Sequence, residues 1–319
     1  MPHIVVAGKL HPAGLALLDA AAGVSFDHIE EISEASYQPY LRRADALVIR
    51  TQPMGAESVA LASRLKIVSR HGVGYDAVDL AALNTRQIPL CIVGDVNSVS
   101  VAEHAMMLIL ACAKRLIRAD ARARQGPWGW RNRLEAVEIS GKRLLILGYG
   151  RIGRHLARMA AGFGMEIRAY DPYLAAQGWP EGPVAPVAAL PDGLAWADVV
   201  SVHLPKADRP ILGAAELAQM KPGAMVINTA RGGIVDEVAL AQALRAGQIA
   251  AAGLDVFESE PPLPDHPLLR FDQVILTPHI AGLTAESAER MAVASVQNVL
   301  DFFAGRLDPG LIVNRAALA

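Results

Sequence analysis

Cysteine is nearly absent. The 319 residues include two, Cys91 and Cys112. Both lie in apolar stretches without CxxC spacing, so buried thiols in a reducing compartment, the cytoplasm, are expected. Net charge is close to absent too: 30 Lys and Arg against 32 Asp and Glu leave −2. That gives no electrostatic reason for nucleic acid or an anionic membrane as partner. No apolar run is long enough to span a bilayer, the longest being Ala105 to Ala113. No basic segment followed by an apolar one opens the chain, which starts with a strand pattern, Ile4 to Ala7. No short fixed repeat and no metal-ligand spacing is present. With 52% hydrophobic and 19% charged residues, the composition is that of a soluble, well-buried α/β enzyme. The length suggests about two domains of ~150 residues.

The rest of the chain is organised around Arg143 to Gly153. Leu144 to Leu147 reads as a buried strand, and Gly148, Gly150 and Gly153 follow at G-x-G-x-x-G spacing. Ile152, Leu156, Met159, Ala160 and Phe163 then recur with helical period. A second strand pattern, Glu166 to Tyr170, ends on Asp171. Strand, glycine turn, helix, strand and acid together make a dinucleotide fingerprint. Gly148 permits the turn, Gly150 lets backbone approach a pyrophosphate, and Gly153 lets the helix sit close to the sheet. The helix N-terminus offers unpaired N–H groups to the phosphates. Asp171 is placed to accept from both ribose hydroxyls and would repel a 2′-phosphate. Pro172 and Tyr173 supply no cation for one, so NAD is favoured over NADP.

Before this segment, Ile4–Ala7, Ala46–Arg50, Lys66–Ser69 and Pro89–Val93 read as strands, with a helix over Pro12–Ala22. The alternation implies a parallel sheet, whose sites gather at the carboxyl ends of strands. Arg50 stands at one such end and His71-Gly-Val-Gly74 at another. Glycines either side of Val73 suggest backbone amides exposed to an anion. Val96 to Ala121 reads as one long helix, apolar all round over Ala105–Ala113, which implies cover from a second domain or subunit. Glu103 and His104 within it receive no catalytic role. Gln125 to Trp130 is a turn-rich connector whose tryptophans are assigned to packing or dimer contacts. After the fingerprint, Ala197–Pro205, Met220–Arg231, Ala251–Phe257 and Val274–His279 read as strands with their ends. Helices are expected over Asp236–Ala246 and over Thr284–Gly305.

Arg231, Glu260 and His279 end three successive elements of the second half, so they could meet in one crevice. Arginine binds a carboxylate through two oxygens at once. Histidine can donate or accept the proton of a hydroxyl or carbonyl oxygen, and a neighbouring carboxylate fixes its tautomer and favours the imidazolium.

Several segments resemble the D-isomer-specific 2-hydroxyacid dehydrogenase family, the group of phosphoglycerate dehydrogenase and hydroxypyruvate and glyoxylate reductase. They are Arg70–Asp76, Ser100–His104, Gly148–Gly153, Val200–Pro205, Ile227–Asp236, Gly253–Phe257 and Thr277–Gly282, in order along nearly the whole chain. The resemblance implies that Arg231 holds the substrate carboxylate and carbonyl oxygen. It makes His279 the general acid or base and Glu260 its partner. Val73 and Gly74 would bind the substrate carboxylate through backbone amides. Arg151 and Ile152 would touch the pyrophosphate, and His203, Pro205 and Ala230 would line the nucleotide crevice. Asp255 would contact the nicotinamide carboxamide. The implied fold is two doubly wound parallel-sheet domains, a Rossmann NAD-binding domain (99–284) inserted into a flavodoxin-like substrate domain (1–98 and 285–319). The long apolar helix would be a hinge element and dimer core.

One departure stands out: Lys206-Ala-Asp-Arg-Pro210 replaces the family's usual Leu-Thr and Pro-Glu-Thr after Pro205, which puts a hydroxyl contact near the nucleotide in doubt. No regulatory extension is expected after Ala319. The implied activity is NAD-dependent interconversion of a small (R)-2-hydroxy acid and its 2-oxo acid, by a cytoplasmic homodimer. Phosphoglycerate, hydroxypyruvate/glyoxylate and sulfolactate-type substrates all fit, and Arg50, Gln52 and Met54 are expected to face the substrate. Two other readings keep the fold: an NAD(H)-sensing corepressor-like regulator, and formate dehydrogenase, against which Glu260 argues.

Overall fold

The computed structural model describes residues 1–126 and 128–318. Pro127 of the Gln125–Trp130 connector and Ala319 lie outside them. The chain divides into two compact units, Met1–Asn97 joined by residues 283–318, and Ser98–Gly282.

The first unit runs β1 (His3–Ala7), α1 (Pro12–Ala20), β2 (Ser25–Ile29), α2 (Glu34–Leu41), β3 (Ala46–Ile49), α3 (Ala56–Leu61), β4 (Ile67–Arg70), α4 (Leu80–Thr85) and β5 (Leu90–Cys91). Its five strands are parallel in the order β2-β1-β3-β4-β5, a flavodoxin-like winding. β3 is buried at every position, which is why its run is uninterruptedly apolar. β2 escaped the sequence reading because it is a half-buried edge strand in which Ser25, Asp27 and His28 interrupt any apolar run.

The second unit comprises α5 (Ser98–Lys114), α6 (Leu116–Gln125), β6 (Arg143–Leu147), α7 (Arg151–Gly162), β7 (Glu166–Tyr170), α8 (Pro172–Gln177), β8 (Ala185–Pro186), α9 (Leu190–Trp196), β9 (Val199–Val202), α10 (Ala214–Gln219), β10 (Ala224–Asn228), α11 (Glu237–Arg245), β11 (Ile249–Leu254) and β12 (Val274–Leu276). Its seven parallel strands lie in the order β12-β11-β10-β9-β6-β7-β8. The order reverses between β6 and β9, the switch point of a Rossmann sheet, where ligands bind beyond the strand ends. The last helix, α12 (Ala285–Phe303), rejoins the first unit, capped by Thr284 and Ser287. Ala292, Val296 and Val299 of α12 share a core with Ile4, Val6 and Leu18.

The long apolar helix is two helices. Arg115 adopts a left-handed conformation (φ 52°) between α5 and α6 and donates from Nη1 to Ala250 O at 2.8 Å. That break is set by a tertiary contact; no glycine or proline announces it. Nor does α5 need a second domain to cover it. Ala105, Leu108, Ile109 and Cys112 pack with Leu144 and Ile146 of β6, Leu156 of α7 and Ile227 of β10. A stripe of Val99, Glu103 and Met107 is left exposed. Gly253 marks the closest approach, since a Cβ there would stand 2.9 Å from Leu108 Cβ. Trp128 of the connector is 75% exposed, so of the two expectations for it, packing or a dimer contact, packing within the chain is not met.

Among the described residues no helix is long and apolar enough to cross a membrane. Leu108→Ala should cost about 2–5 kcal/mol, whereas Met107→Ala should change stability by less than about 0.5 kcal/mol. Urea unfolding midpoints measure both.

Candidate active site

The glycine turn begins where β6 leaves the core. Gly148 has φ 92°, and a Cβ there would stand 2.7 Å from the His203 carbonyl oxygen, so handedness and space both demand glycine. A Cβ on Gly153 would collide with the carbonyl oxygen of Gly148. Gly150, the N-cap of α7, is different: its Cβ would meet nothing within 4 Å. Packing does not require that glycine, and its open face leaves room for a phosphate to approach the helix N-terminus. Arg151 and Ile152 lie in the first turn of that helix.

Asp171, beyond β7, accepts from Tyr149 N–H through Oδ2 at 2.9 Å and from Leu174 N–H through Oδ1 at 3.1 Å. The carboxylate is thereby aimed from the glycine turn and from α8 at once. Each oxygen keeps a lone pair for a ribose hydroxyl.

Two orphaned polar atoms lie past neighbouring strand ends. His203 follows β9, and its Nε2 is 2.9 Å from Ser201 Oγ, while its buried Nδ1 has no partner among the described residues. Burial pushes this imidazole down to about 3, so it is neutral. Thr229 Oγ1, past β10, is likewise buried without a partner. Unsatisfied buried polar atoms are rare, and two past neighbouring strand ends, one of them on His203 next to Gly148, suit a polar ligand. Thr229 was given no role from sequence, although it sits in the Asn228-Thr-Ala-Arg231 segment. Of the other expected lining residues, Pro205 is exposed, whereas Ala230 is only 7% exposed. Ala230 N–H goes to Asn228 Oδ1 and its carbonyl accepts from Arg231 Nη1, so its backbone is tied into the loop.

The strand carrying Arg231 stops at Asn228, three residues earlier than the sequence suggests. Asn228, 2% exposed, shapes the loop: Oδ1 accepts Ala230 N–H at 3.0 Å and Nδ2 donates to the Arg231 carbonyl at 2.9 Å. Gly232 presses on the next loop, where a Cβ would overlap the Phe257 carbonyl and Glu258 nitrogen. In that loop Glu260 Oε1 accepts Phe257 N–H at 3.0 Å and Oε2 meets His279 Nδ1 at 2.7 Å. His279 itself is left-handed (φ 53°), just past β12, and its ring is 52% exposed. The pairing commits Nδ1 to Glu260 and leaves Nε2 as the outward nitrogen.

The charges reinforce the pairing. The hydrogen bond that His279 donates to Glu260 raises the His279 pKa. Burial opposes it, the charges of Glu260 and Asp255 add to it, and Arg231 opposes it. Burial pushes the Glu260 carboxyl up, but its bonds to His279 and Phe257 N–H outweigh this and hold it below the ordinary glutamate value. The structure thus brings Arg231, Glu260 and His279 into one electrostatic group, able to hold a carboxylate and exchange one proton.

Asp255, 1% exposed, supports the group from below. It accepts from Thr277 Oγ1 at 2.5 Å, Ile280 N–H at 2.9 Å and Ala281 N–H at 2.8 Å. Three of about four acceptor sites are thus used, and His104 Nε2 lies 3.6 Å from its Oδ1. His104 Nε2 lies 2.9 Å from Thr277 Oγ1, so this residue, given no role from sequence, belongs to the same network.

In the first unit, Arg50 and the His71–Gly74 loop follow the adjacent strands β3 and β4. His71 is 6% exposed, and burial, then Arg50, then Arg70, push it down to about 4. Arg50 has no carboxylate partner among the described residues, only a long 3.4 Å contact to Lys9 O. Gln52 and Met54 do not face a ligand. Gln52, 1% exposed, bonds Glu31 O and Thr51 N–H, and Met54, 0% exposed, is in the core. Among the described residues, no group of three His, Cys, Asp or Glu could hold a metal ion.

Glu260→Gln should lower the pH at which His279 titrates, because the raising partner is lost. An NMR titration of the imidazole resonances reads this directly, and an unmoved His279 would show that the pair does not set its proton affinity.

A family model described as "D-isomer specific 2-hydroxyacid dehydrogenase, NAD binding domain" matches residues 106–281. The chain is 38% identical over 315 residues to D-3-phosphoglycerate dehydrogenase of Mycobacterium leprae, covering 98% of this chain and 59% of that one. It therefore spans little more than half the length of that relative. It is 37% identical over 330 residues to glyoxylate reductase of Aeropyrum pernix, covering 98% and 96% of the two chains. The crystal structure of D-lactate dehydrogenase from Aquifex aeolicus, complexed with NAD and lactic acid, superposes with a TM-score of 0.85 at 27% identity, covering 97% of this chain and 98% of that one. The chain belongs to the D-isomer specific 2-hydroxyacid dehydrogenase family and carries its NAD binding domain.

Proposed function

We propose that the protein is an NAD-dependent oxidoreductase interconverting a small (R)-2-hydroxy acid and its 2-oxo acid. The observation that carries this is the 2.7 Å pairing of His279 Nδ1 with Glu260 Oε2, inside the field of Arg231. NAD(H), when bound, would supply or take up the hydride at the substrate's C2. In reduction, His279 Nε2–H gives its proton to the oxygen on C2; in oxidation, neutral Nε2 takes it back. Glu260 stabilises the imidazolium, so its raised pKa carries the reduction direction to higher pH than an ordinary histidine would and delays oxidation until the pH passes that value. Arg231 holds the substrate carboxylate through its planar fork. The open face of Gly150, with Arg151 and Ile152, takes the pyrophosphate, and Asp171 takes the ribose.

The positive character around Arg50, Arg70 and the Val73–Gly74 backbone supports a carboxylate or second anion on the first unit. The glyoxylate reductase and phosphoglycerate dehydrogenase relatives support glyoxylate, hydroxypyruvate and phosphoglycerate-type substrates; a sulfolactate type also fits Arg50. A cytoplasmic homodimer completes the proposal. Two free, buried cysteines suit a reducing compartment. The apolar side chains of Leu116, Ile117 and Trp128, 52%, 59% and 75% exposed, suit a second copy. No observation favours the regulator reading.

His279→Ala should cut turnover by about 10²–10⁴-fold with NADH binding, followed by fluorescence, little changed; retained turnover would remove His279 as the proton donor. A panel of glyoxylate, hydroxypyruvate, pyruvate, phosphohydroxypyruvate, sulfopyruvate and oxaloacetate, each with NADH and with NADPH, should show turnover with NADH preferred. Preference for a dianionic substrate assigns Arg50 to specificity. NADH binding without turnover of any acid would put the regulator ahead.

A further inference from the structure

A second histidine–carboxylate pair lies one loop away from the first. Glu237 opens α11, directly after its N-cap Asp236, and is 9% exposed. Its Oε1 accepts Glu258 N–H at 2.6 Å and its Oε2 is 2.9 Å from His266 Nε2. His266 in turn caps the short helical turn Pro267–Arg270, its Nδ1 accepting Leu268 N–H at 3.4 Å. With Nδ1 accepting in that bond, Nε2 is the nitrogen that faces Glu237 as donor. The His266 ring also meets Phe257 edge to face, with centroids 5.8 Å apart at 85°.

These contacts grip both ends of the segment that carries Glu260. At its start, two successive N–H groups are divided between two carboxylates: Phe257 N–H goes to Glu260 and Glu258 N–H goes to Glu237. At its end, His266 is fastened to the same Glu237. The intervening loop holds Pro261, Pro262 and Pro264, which donate no backbone hydrogen bonds. Glu237 is therefore the carboxylate through which α11 fixes the loop. Burying it is costly, and burial raises its pKa against the lowering effect of Glu258 N–H and His266. A carboxylate is the fitting group because both of its partners are donors; an amide could satisfy only one.

We propose that Glu237 and His266 act as a positioning pair, a clamp that holds Glu260 against His279. The inference rests on the reading of His279 as the proton-exchanging residue. Neither Glu237 nor His266 touches substrate; they act through the Glu260 loop. The groups facing Glu237 are His266 and Glu258, and those facing His279 are Glu260, Asp255 and Arg231.

The test uses the full chain and the variants Glu237→Gln and His266→Gln. In Glu237→Gln the amide must turn its NH₂ toward one of two donors, so one contact is lost. His266→Gln loosens the other end without removing a negative charge. The readout is the His279 imidazole titration by NMR, its resonance identified by its loss in His279→Ala. Both variants should titrate lower than wild type, in the direction of Glu260→Gln and by part of its shift. Added to Glu260→Gln, neither should move His279 further, because the clamp acts only through Glu260. With a substrate from the panel, kcat should fall roughly 10- to 100-fold, as a misplacement of about 1 Å can cost that much.

Wild-type titration in both variants overturns the proposal, and so does an equal shift on the Glu260→Gln background, which would mean a through-space effect. Should one variant fail to fold, the other decides; failure of both would make the pair structural and overturn it. If wild type turns over no 2-oxo acid, the proposed activity fails, while the titration still decides the positioning role.

Discussion

Three donors converge on the buried carboxylate of Asp255, and the group around His279 depends on that convergence. Its oxygens take Thr277 Oγ–H, Ile280 N–H and Ala281 N–H, its carbonyl takes His279 N–H, and its own N–H reaches Asn228 O. One residue past β11 thus ties the ends of β10 and β12 to each other. A buried carboxylate is tolerable only when so fully bonded. In return it fixes the turn that puts His279 in a left-handed conformation. Asn228 repeats the device one strand over, buried, with its amide spent on the Arg231 loop.

Apolar burial places the framework, while hydrogen bonds place the reacting groups. The sheets are continuous hydrophobic runs because parallel strands are covered on both faces. The His279–Glu260 pair is about half exposed and adds little to stability, as exposed ion pairs contribute about 0–1 kcal/mol. Its importance is in proton affinity: the same contact that barely steadies the fold raises one pKa and lowers the other.

Much of this was legible in the chain. The glycine turn could be read because it combines periods and residue types that few other structures need, and Gly148 and Gly153 each answer to a distinct steric fact. Arg231, Glu260 and His279 could be read as residues that follow successive elements, although β10 stops three residues before Arg231 and Glu260 lies in the loop well beyond β11. Less was legible where a residue's neighbours come from afar. Gln52 and Met54 look like pocket residues after a strand, yet Gln52 is drawn inward by Glu31 O and Met54 by the core. β2 is hidden by the polar residues that an edge strand carries. The break at Arg115 is fixed by Ala250, 135 positions along the chain.

The sequence by itself determined the parallel α/β class and the dinucleotide turn, because local periodicity and spacing encode them; for Arg231, Glu260 and His279 spacing alone left their roles open, and the family resemblance supplied them. Only the tertiary structure decided which donors fill Asp255, that Thr229 and His203 keep unsatisfied polar atoms, and that Glu237 and His266 grip the Glu260 loop. These are contacts between segments that meet only when seven strands line up in one sheet, and no spacing along the chain records them.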